Sequence, residues 1–391
     1  MKSDLLICSS VRTPIGNFNG GLSPVPAVQL GGVVIRAALE RAGVSAAEVG
    51  ECFMGCVLTG GLGQAPARQA WMAAGGNDGV PCTTVGKVCG SSLQATVFAG
   101  RGLMLGEFDL AVAGGMENMS AAPWALPAAK KGEPPDMGSD AMVAMMVKDG
   151  LWDVYNDKHM GLICDRLAGE EGVTREAQDA FAERSYTRAL AAIRDGRFER
   201  EIVPVPTVGG FVAVDEGPSL YRPDKMRRIR PAFDKENGTI TAANASSIND
   251  GAAALVLANE AGVRRLGLTP LARIVGWGSG ALRPERFPVA PVIAVRNALR
   301  MAGLEAADID FWEINEAFAA VVLLIMRELG IDDGKVNVFG GAVALGHPIG
   351  ATGARILTTL LNVLQHHGGR YGVATLCIGG GEGSAMVIEK L

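Results

Sequence analysis

Apolar and polar positions follow two textures along the chain. Residues 38–49, ALERAGVSAAEV, and 298–309, ALRMAGLEAADI, carry leucine and alanine at helical spacing, close on a glycine and pass through an acidic turn. Each then enters a β-like run, GECFMGCVL at 50–58 and DFWEIN at 310–315. This near repeat predicts a duplication. DLAVAGGMENMS at 109–120 and YGVATLCIGGGEGSAMVIE at 371–389 extend it, since both read as a buried strand entering a glycine-rich turn. Two similar βαβ-type halves are expected, their sheets related by a pseudo-dyad. From about Ser120 to Asn244 the pattern changes to prolines, mixed charges and helical pieces. The clearest piece is REAQDAFAERSYTRALAAIRDG at 175–196, where Ala180, Phe181, Tyr186, Ala189, Leu190 and Ile193 are predicted to form one apolar face. Long insertions of this kind build lids and ligand walls on α/β scaffolds.

At 391 residues the chain exceeds what one core organises, and 48% hydrophobic residues with 53 glycines suit a turn-rich α/β protein. A balance of 36 basic against 41 acidic residues leaves no global positive field, so neither nucleic acid nor an anionic membrane is an expected partner. The longest apolar run, Ala317 to Met326, is too short to span a bilayer. Cysteines at 8, 52, 56, 82, 89, 164 and 377 have neither disulfide-framework nor zinc spacing, which predicts a reducing compartment and no metal site. Asp4 interrupts any signal-peptide core and IEKL is not a peroxisomal signal, so a cytoplasmic location is expected. GGLG at 60–63 and GWGSG at 276–280 lack the dinucleotide fingerprint. Met142, Met145 and Met146, like Cys52, Cys56, Cys82 and Cys164, read as packing residues.

One cysteine stands apart. In TTVGKVCGSSLQATVFAG, residues 83–100, Cys89 lies between a β-branched run and a helical segment. A helix starting there aims free N–H groups at the sulfur and is expected to lower its pKa, while Gly90, Ser91 and Ser92 leave room for a substrate. A buried cysteine at a helix start explains this window equally well. His347, in NVFGGAVALGHPIGATGAR at 337–355, sits between glycine-rich turns as a candidate base, whereas His366 and His367 in QHHGG read as solvated. Cys377, in TLCIGGGEG, ends a strand before a glycine nest that can favour a thiolate. A nucleophile, a base and oxyanion donors are what acyl transfer requires.

Eight segments in order then identify a resemblance over nearly the whole chain: VRTPIGNFNGGL (11–22), GQAPARQA (63–70), KVCGSS (87–92), AGGMENMS (113–120), GTITAANASSINDGAAA (238–254), INEAFAA (314–320), GGAVALGHPIGATGAR (340–355) and CIGGGEG (377–383). The sequence resembles the thiolase family, acetyl-CoA C-acetyltransferases and 3-ketoacyl-CoA thiolases. The resemblance implies a five-layer α-β-α-β-α sandwich of two halves, residues 1–119 with 245–270 and residues 271–391, with 120–244 as an inserted loop domain. It implies reversible condensation of two acetyl-CoA, or thiolysis of a 3-ketoacyl-CoA, through an acyl-enzyme on Cys89. His347 then resembles the base, Cys377 the acid/base at the substrate α-carbon, Asn315 the residue that positions a water in one oxyanion hole, and the N–H groups of Cys89 and Gly379 the other hole. Coenzyme A contacts by resemblance are Ser246, His159, Met160, Leu151, Phe233, Phe318 and Arg222, with KMRRIR at 225–230 either a phosphate contact or a solvated turn. The implied substrates and partners are acyl-CoA and CoA, with no further cofactor, in a homotetramer contacting through residues near 120–145. DGLWDVYNDKHMG at 149–161 resembles the short-chain biosynthetic type. Gly86, Ser92, Asn118 and Glu382 depart from the family pattern, and Glu382 would raise the Cys377 pKa unless it is turned outward or paired. A non-catalytic acyl-CoA carrier and a decarboxylating condensing enzyme of the same fold are the alternatives.

Overall fold

The computed structural model describes residues 4–126 and 142–391, so most of the predicted tetramer contact lies outside the described residues. In the first half the chain runs β1 (Leu5–Arg12), α1 (Ala27–Ala42), β2 (Glu51–Gly55), α2 (Pro66–Ala73), β3 (Cys82–Val85), α3 (Ser91–Leu105) and β4 (Leu110–Asn118). The inserted helices α4 (Met160–Glu170) and α5 (Arg175–Arg194) follow, before the chain returns to the sheet as β5 (Asn249–Asn259). The second half comprises β6 (Ala272–Ala281), α6 (Ala290–Ala302), β7 (Phe311–Ile314), α7 (Ala319–Leu329), α8 (Thr352–His367), β8 (Tyr371–Ile378) and β9 (Glu382–Lys390).

The predicted duplication is visible in the pairing. The strands lie on one path, β7-β8-β9-β6-β1-β5-β4-β2-β3, with the short strand Gly16–Asn17 pairing β5 beside it. Outward from the β1–β6 junction, β1-β5-β4-β2-β3 is matched by β6-β9-β8-β7 and a single parallel bridge between Trp312 and Val336. Antiparallel pairs lie next to the junction in both halves and parallel pairs at both far ends. Only Leu5 to Ile7 of β1 pair across the junction, with Ala272 to Ile274.

Three apolar cores explain why the strands are hydrophobic on both faces. Leu93, Val97 and Leu103 of α3 pack with Ile356, Leu357 and Leu360 of α8 between the inner faces, against Leu255, Leu257, Leu376 and Ile388. Val34, Ile35 and Trp71 cover the outer face of the first half, and Val295, Leu299, Val321 and Ile325 that of the second. Helix, sheet, helix, sheet and helix therefore stack as five layers. Both faces of each sheet are dry, as long apolar runs require.

The predicted face of α5 is corrected. Ala180 and Leu190 are exposed, while Gln178, Asp179 and Ser185 are buried with Phe181, Ala182 and Ala189. Hydrogen bonding makes this possible: the Gln178 amide donates to Thr239 (2.8 Å), Asp179 accepts from Asn244 (2.9 Å), and the Ser185 hydroxyl donates to Glu316 (2.7 Å). The inserted segment is also tied to β1, where buried Arg12 forms a bidentate pair with Asp215 at 2.7 and 2.9 Å. Cys82, read from sequence as a packing residue, is half-buried at the start of the edge strand. Among the described residues, no helix is long and apolar enough to cross a membrane.

Candidate active site

Strand β3 delivers Cys89 through a strained turn. Val88 has φ 44°, a conformation that β-branched residues avoid, and it projects Cys89 just ahead of α3. Ser91 holds this turn, its hydroxyl accepting from the Lys87 N–H (2.8 Å) and donating to the Val88 carbonyl (2.7 Å). Strand β8 supplies Cys377 at its end, and the Gly379–Gly381 turn places the Gly379 N–H near the Cys89 sulfur, where it and the N–H of Cys89 itself favour negative charge.

These groups share a cavity of about 540 Å³. Cys89, His347, Cys377 and Gly379 line it with Leu151, His159, Met160, Phe233, Ser246 and Phe318. Sequence therefore anticipated much of the wall. His159 stacks on Phe233 at 4.8 Å, and Phe233 meets Phe318 edge-on at 6.1 Å, forming an apolar side. The Ser246 hydroxyl donates to the Ala317 carbonyl (3.0 Å), which leaves its oxygen free to accept. Arg222 does not join them: it is exposed and its guanidinium donates to the Ser219 and Tyr221 carbonyls. Leu220 lines the cavity instead, as do Phe18, Met119 and Ile248, which sequence reasoning passed over.

Hydrogen bonding fixes the state of His347. Thr352 Oγ1 donates to the Pro348 carbonyl (2.9 Å), so it accepts from Nδ1 of His347 at 2.6 Å. The neutral imidazole then carries its proton on Nδ1 and presents a lone pair at Nε2. Asn315 Nδ2 lies 3.5 Å from that Nε2, while Asn315 Oδ1 is buried without a partner. Burial, assisted by the buried Arg355 guanidinium, pushes the His347 pKa down to about 3.

Both thiols depart from the expectation drawn from their local motifs. Burial pushes Cys89 up to about 11 despite the Gly379 and Cys89 N–H groups, with nearby Glu117 adding to the rise. Cys377 is likewise raised by burial and by Cys89, and its glycine turn does not reverse this. A dipole at a helix start is a modest effect beside desolvation in a dry cavity. The resting site therefore holds two thiols and a neutral imidazole at pH 7.

Two carboxylates anchor the surrounding loops, a role the sequence did not reveal. Glu117 accepts from the N–H groups of Val57 (3.0 Å), Leu58 (3.1 Å) and Gly350 (2.9 Å), linking the loop after β2 to the His347 loop. Glu316 accepts from Ser185, Asn337 (2.8 Å) and the Val343 N–H (2.9 Å). Departures from the family pattern also acquire reasons. Glu382 is ion-paired with Lys87, Ser92 accepts from the Ala354 N–H (2.9 Å) between α3 and α8, and Asn118 donates to the Ser23 and Val25 carbonyls. Gly86 is exposed, and nothing in the structure explains that change. His366 and His367 are exposed, as predicted.

A half-buried cysteine before a helix, a second thiol, an imidazole with an unprotonated Nε2 and converging backbone donors equip a duplicated α/β scaffold for acyl chemistry on sulfur. Family models described as "Thiolase, N-terminal domain" and "Thiolase, C-terminal domain" match residues 5–261 and 268–390. The chain is 50% identical to acetyl-CoA acetyltransferase 2 of Arabidopsis thaliana, with 99% of this chain and 97% of that protein covered. It is 49% identical to acetyl-CoA acetyltransferase of Cupriavidus necator, covering 99% and 100% respectively. A crystal structure of Acat5 thiolase from Ascaris suum in complex with coenzyme A superposes with a TM-score of 0.94 at 42% identity, covering 99% of this chain and 100% of that one. The chain belongs to the thiolase family and has its fold.

Proposed function

We propose that the protein is an acetyl-CoA C-acetyltransferase, condensing two acetyl-CoA to acetoacetyl-CoA and CoA and running the reverse thiolysis. The observation that carries this reading is the single cavity onto which Cys89, His347, Cys377 and Gly379 all open. Cys89 Sγ attacks the thioester carbonyl as His347 Nε2 takes its proton; CoA leaves as its thiol with the proton of Cys377, and the acetyl group stays on Cys89. A second acetyl-CoA enters, Cys377, now a thiolate, removes an α-proton, and the resulting carbon attacks the acetyl carbonyl, releasing Cys89, which recovers its proton from His347. The Cys89 and Gly379 N–H groups hold one developing oxyanion, and His347 with an Asn315-positioned water holds the other. Thioester is exchanged for thioester in the first step, so that step is nearly balanced and the kinetics are ping-pong.

Met160 supports a preference for short acyl groups: a Cβ on Gly379 would stand 3.8 Å from its sulfur, so the methionine fills the space beside the reacting carbon. The two halves and insertion at the boundaries predicted above, a homotetramer and a cytoplasmic location complete the proposal; light scattering and cell fractionation test the last two. The principal test is incubation with acetoacetyl-CoA and CoA. Loss of the acetoacetyl thioester absorbance is expected, and its persistence alongside tight binding would support a carrier instead. Cys89→Ala is expected to abolish acyl-enzyme formation. Cys377→Ala is expected to acylate yet fail to exchange the α-protons of bound acetyl-CoA, and normal exchange would overturn the base assignment.

A further inference from the structure

Away from the cavity, two cysteines without a role in the proposed chemistry face each other. Cys52 of β2 and Cys82 of β3 are register partners on neighbouring parallel strands, where in-register side chains share a face of the sheet. The Cys82 thiol donates to the Val80 carbonyl at 3.4 Å, and the two thiols are close enough to influence each other's ionisation. Cys52 is fully buried, while Cys82 is half-buried as the first residue of an edge strand. The Cys52 thiol, and after it the Arg68 guanidinium, lower the Cys82 pKa against the opposing effects of its partial burial and of Glu51. One sulfur is therefore accessible and inclined to ionise, and the other is a sheltered neighbour. This is the pairing of an attacking and a resolving thiol.

We propose that Cys52 and Cys82 form a reversible disulfide when the protein meets a hydroperoxide. The Cys82 thiolate attacks the peroxide oxygen, the O–O bond breaks and the departing hydroxide takes up a proton, leaving a sulfenic acid. The Cys52 sulfur then attacks the Cys82 sulfur, the S–O bond breaks, and water leaves with the Cys52 proton. Two thiols lose two electrons and the peroxide gains them. Neighbouring strands stand about 4.7–4.9 Å apart, so the Cβ atoms must draw slightly together to reach disulfide separation. The free side of β3 allows that movement. This inference is independent of the proposed acyl chemistry, although the stapled strand is the one that delivers Cys89.

The test is hydrogen peroxide treatment of the full-length protein, alkylation in denaturant without reductant, and peptide mapping. A Cys52–Cys82 cross-linked peptide lighter by two hydrogen atoms is expected, removed by dithiothreitol and absent from Cys82→Ser. With Cys52→Ala, dimedone is expected to label Cys82, which also shows that the attacking thiol survives the loss of its partner. Cys52 remaining alkylatable in protein whose Cys82 is oxidised, or either thiol bridging to a different cysteine, would overturn the proposal.

Discussion

Thr352→Val isolates the claim that His347 is a base by virtue of its tautomer. Valine keeps the shape of threonine and removes one oxygen, the acceptor 2.6 Å from His347 Nδ1. His347 is buried, so no bulk water replaces that partner. An orphaned buried N–H costs about 1–3 kcal/mol, which the ring escapes by moving its proton to Nε2 or by rotating. Either escape removes the Nε2 lone pair from the sulfur. Expressed in the acylation barrier, that range corresponds to about 5- to 150-fold in rate. The assay is single-turnover acetylation of Cys89 by acetyl-CoA, quenched and read by mass spectrometry, with thermal unfolding alongside. Acylation should slow by that factor while the affinity for CoA is retained, and Thr352→Ser should recover most of the rate because the hydroxyl returns. Val acylating within a factor of two of wild type in a native fold, or Ser no better than Val, would refute the tautomer argument.

Two further outcomes follow from the electrostatics. Because burial raises Cys89 to about 11, its thiolate fraction at neutral pH lies below that of a free cysteine, and alkylation by iodoacetamide should climb about tenfold per pH unit until near that value. A plateau close to pH 7 would show a preformed thiolate and contradict the desolvation argument. The Lys87–Glu382 pair joins the turn before Cys89 to the strand after Gly379, and both side chains are only partly covered. Glu382→Gln should therefore cost under about 1 kcal/mol in stability, read by urea unfolding, yet lower thiolysis severalfold by loosening two oxyanion donors. The charge-swapped pair Lys87→Glu with Glu382→Lys should restore part of the rate, and no recovery would mean that the pair does not set the turn.

What the sequence disclosed and what it withheld divide along a physical line. Periodicity exposed the duplication because a buried strand and a packed helix each leave a local imprint, and the β1-β5-β4-β2-β3 path and its mate are two copies of one imprint. Cys89, His347 and Cys377 were legible because each sits at an element boundary marked by glycines. Thr352 and Glu117 were not, since threonine and glutamate carry no such mark and their partners are set by packing; Glu117 gathers N–H groups from residues 57, 58 and 350. The apolar face of α5 was misjudged for the same reason, as Ser185 is buried only because Glu316 awaits it. The direction of the thiol shifts failed for a related cause. A helix start is local and readable, whereas desolvation is a property of the closed cavity and is the larger effect. That ordering bears on the chemistry: with His347 held neutral and both thiols protonated at rest, the cavity stores no separated charge. Charge arises only as Sγ meets a carbonyl, where the Cys89 and Gly379 N–H groups already point, so the dry wall that opposes a resting thiolate also strengthens those donors when an oxyanion forms.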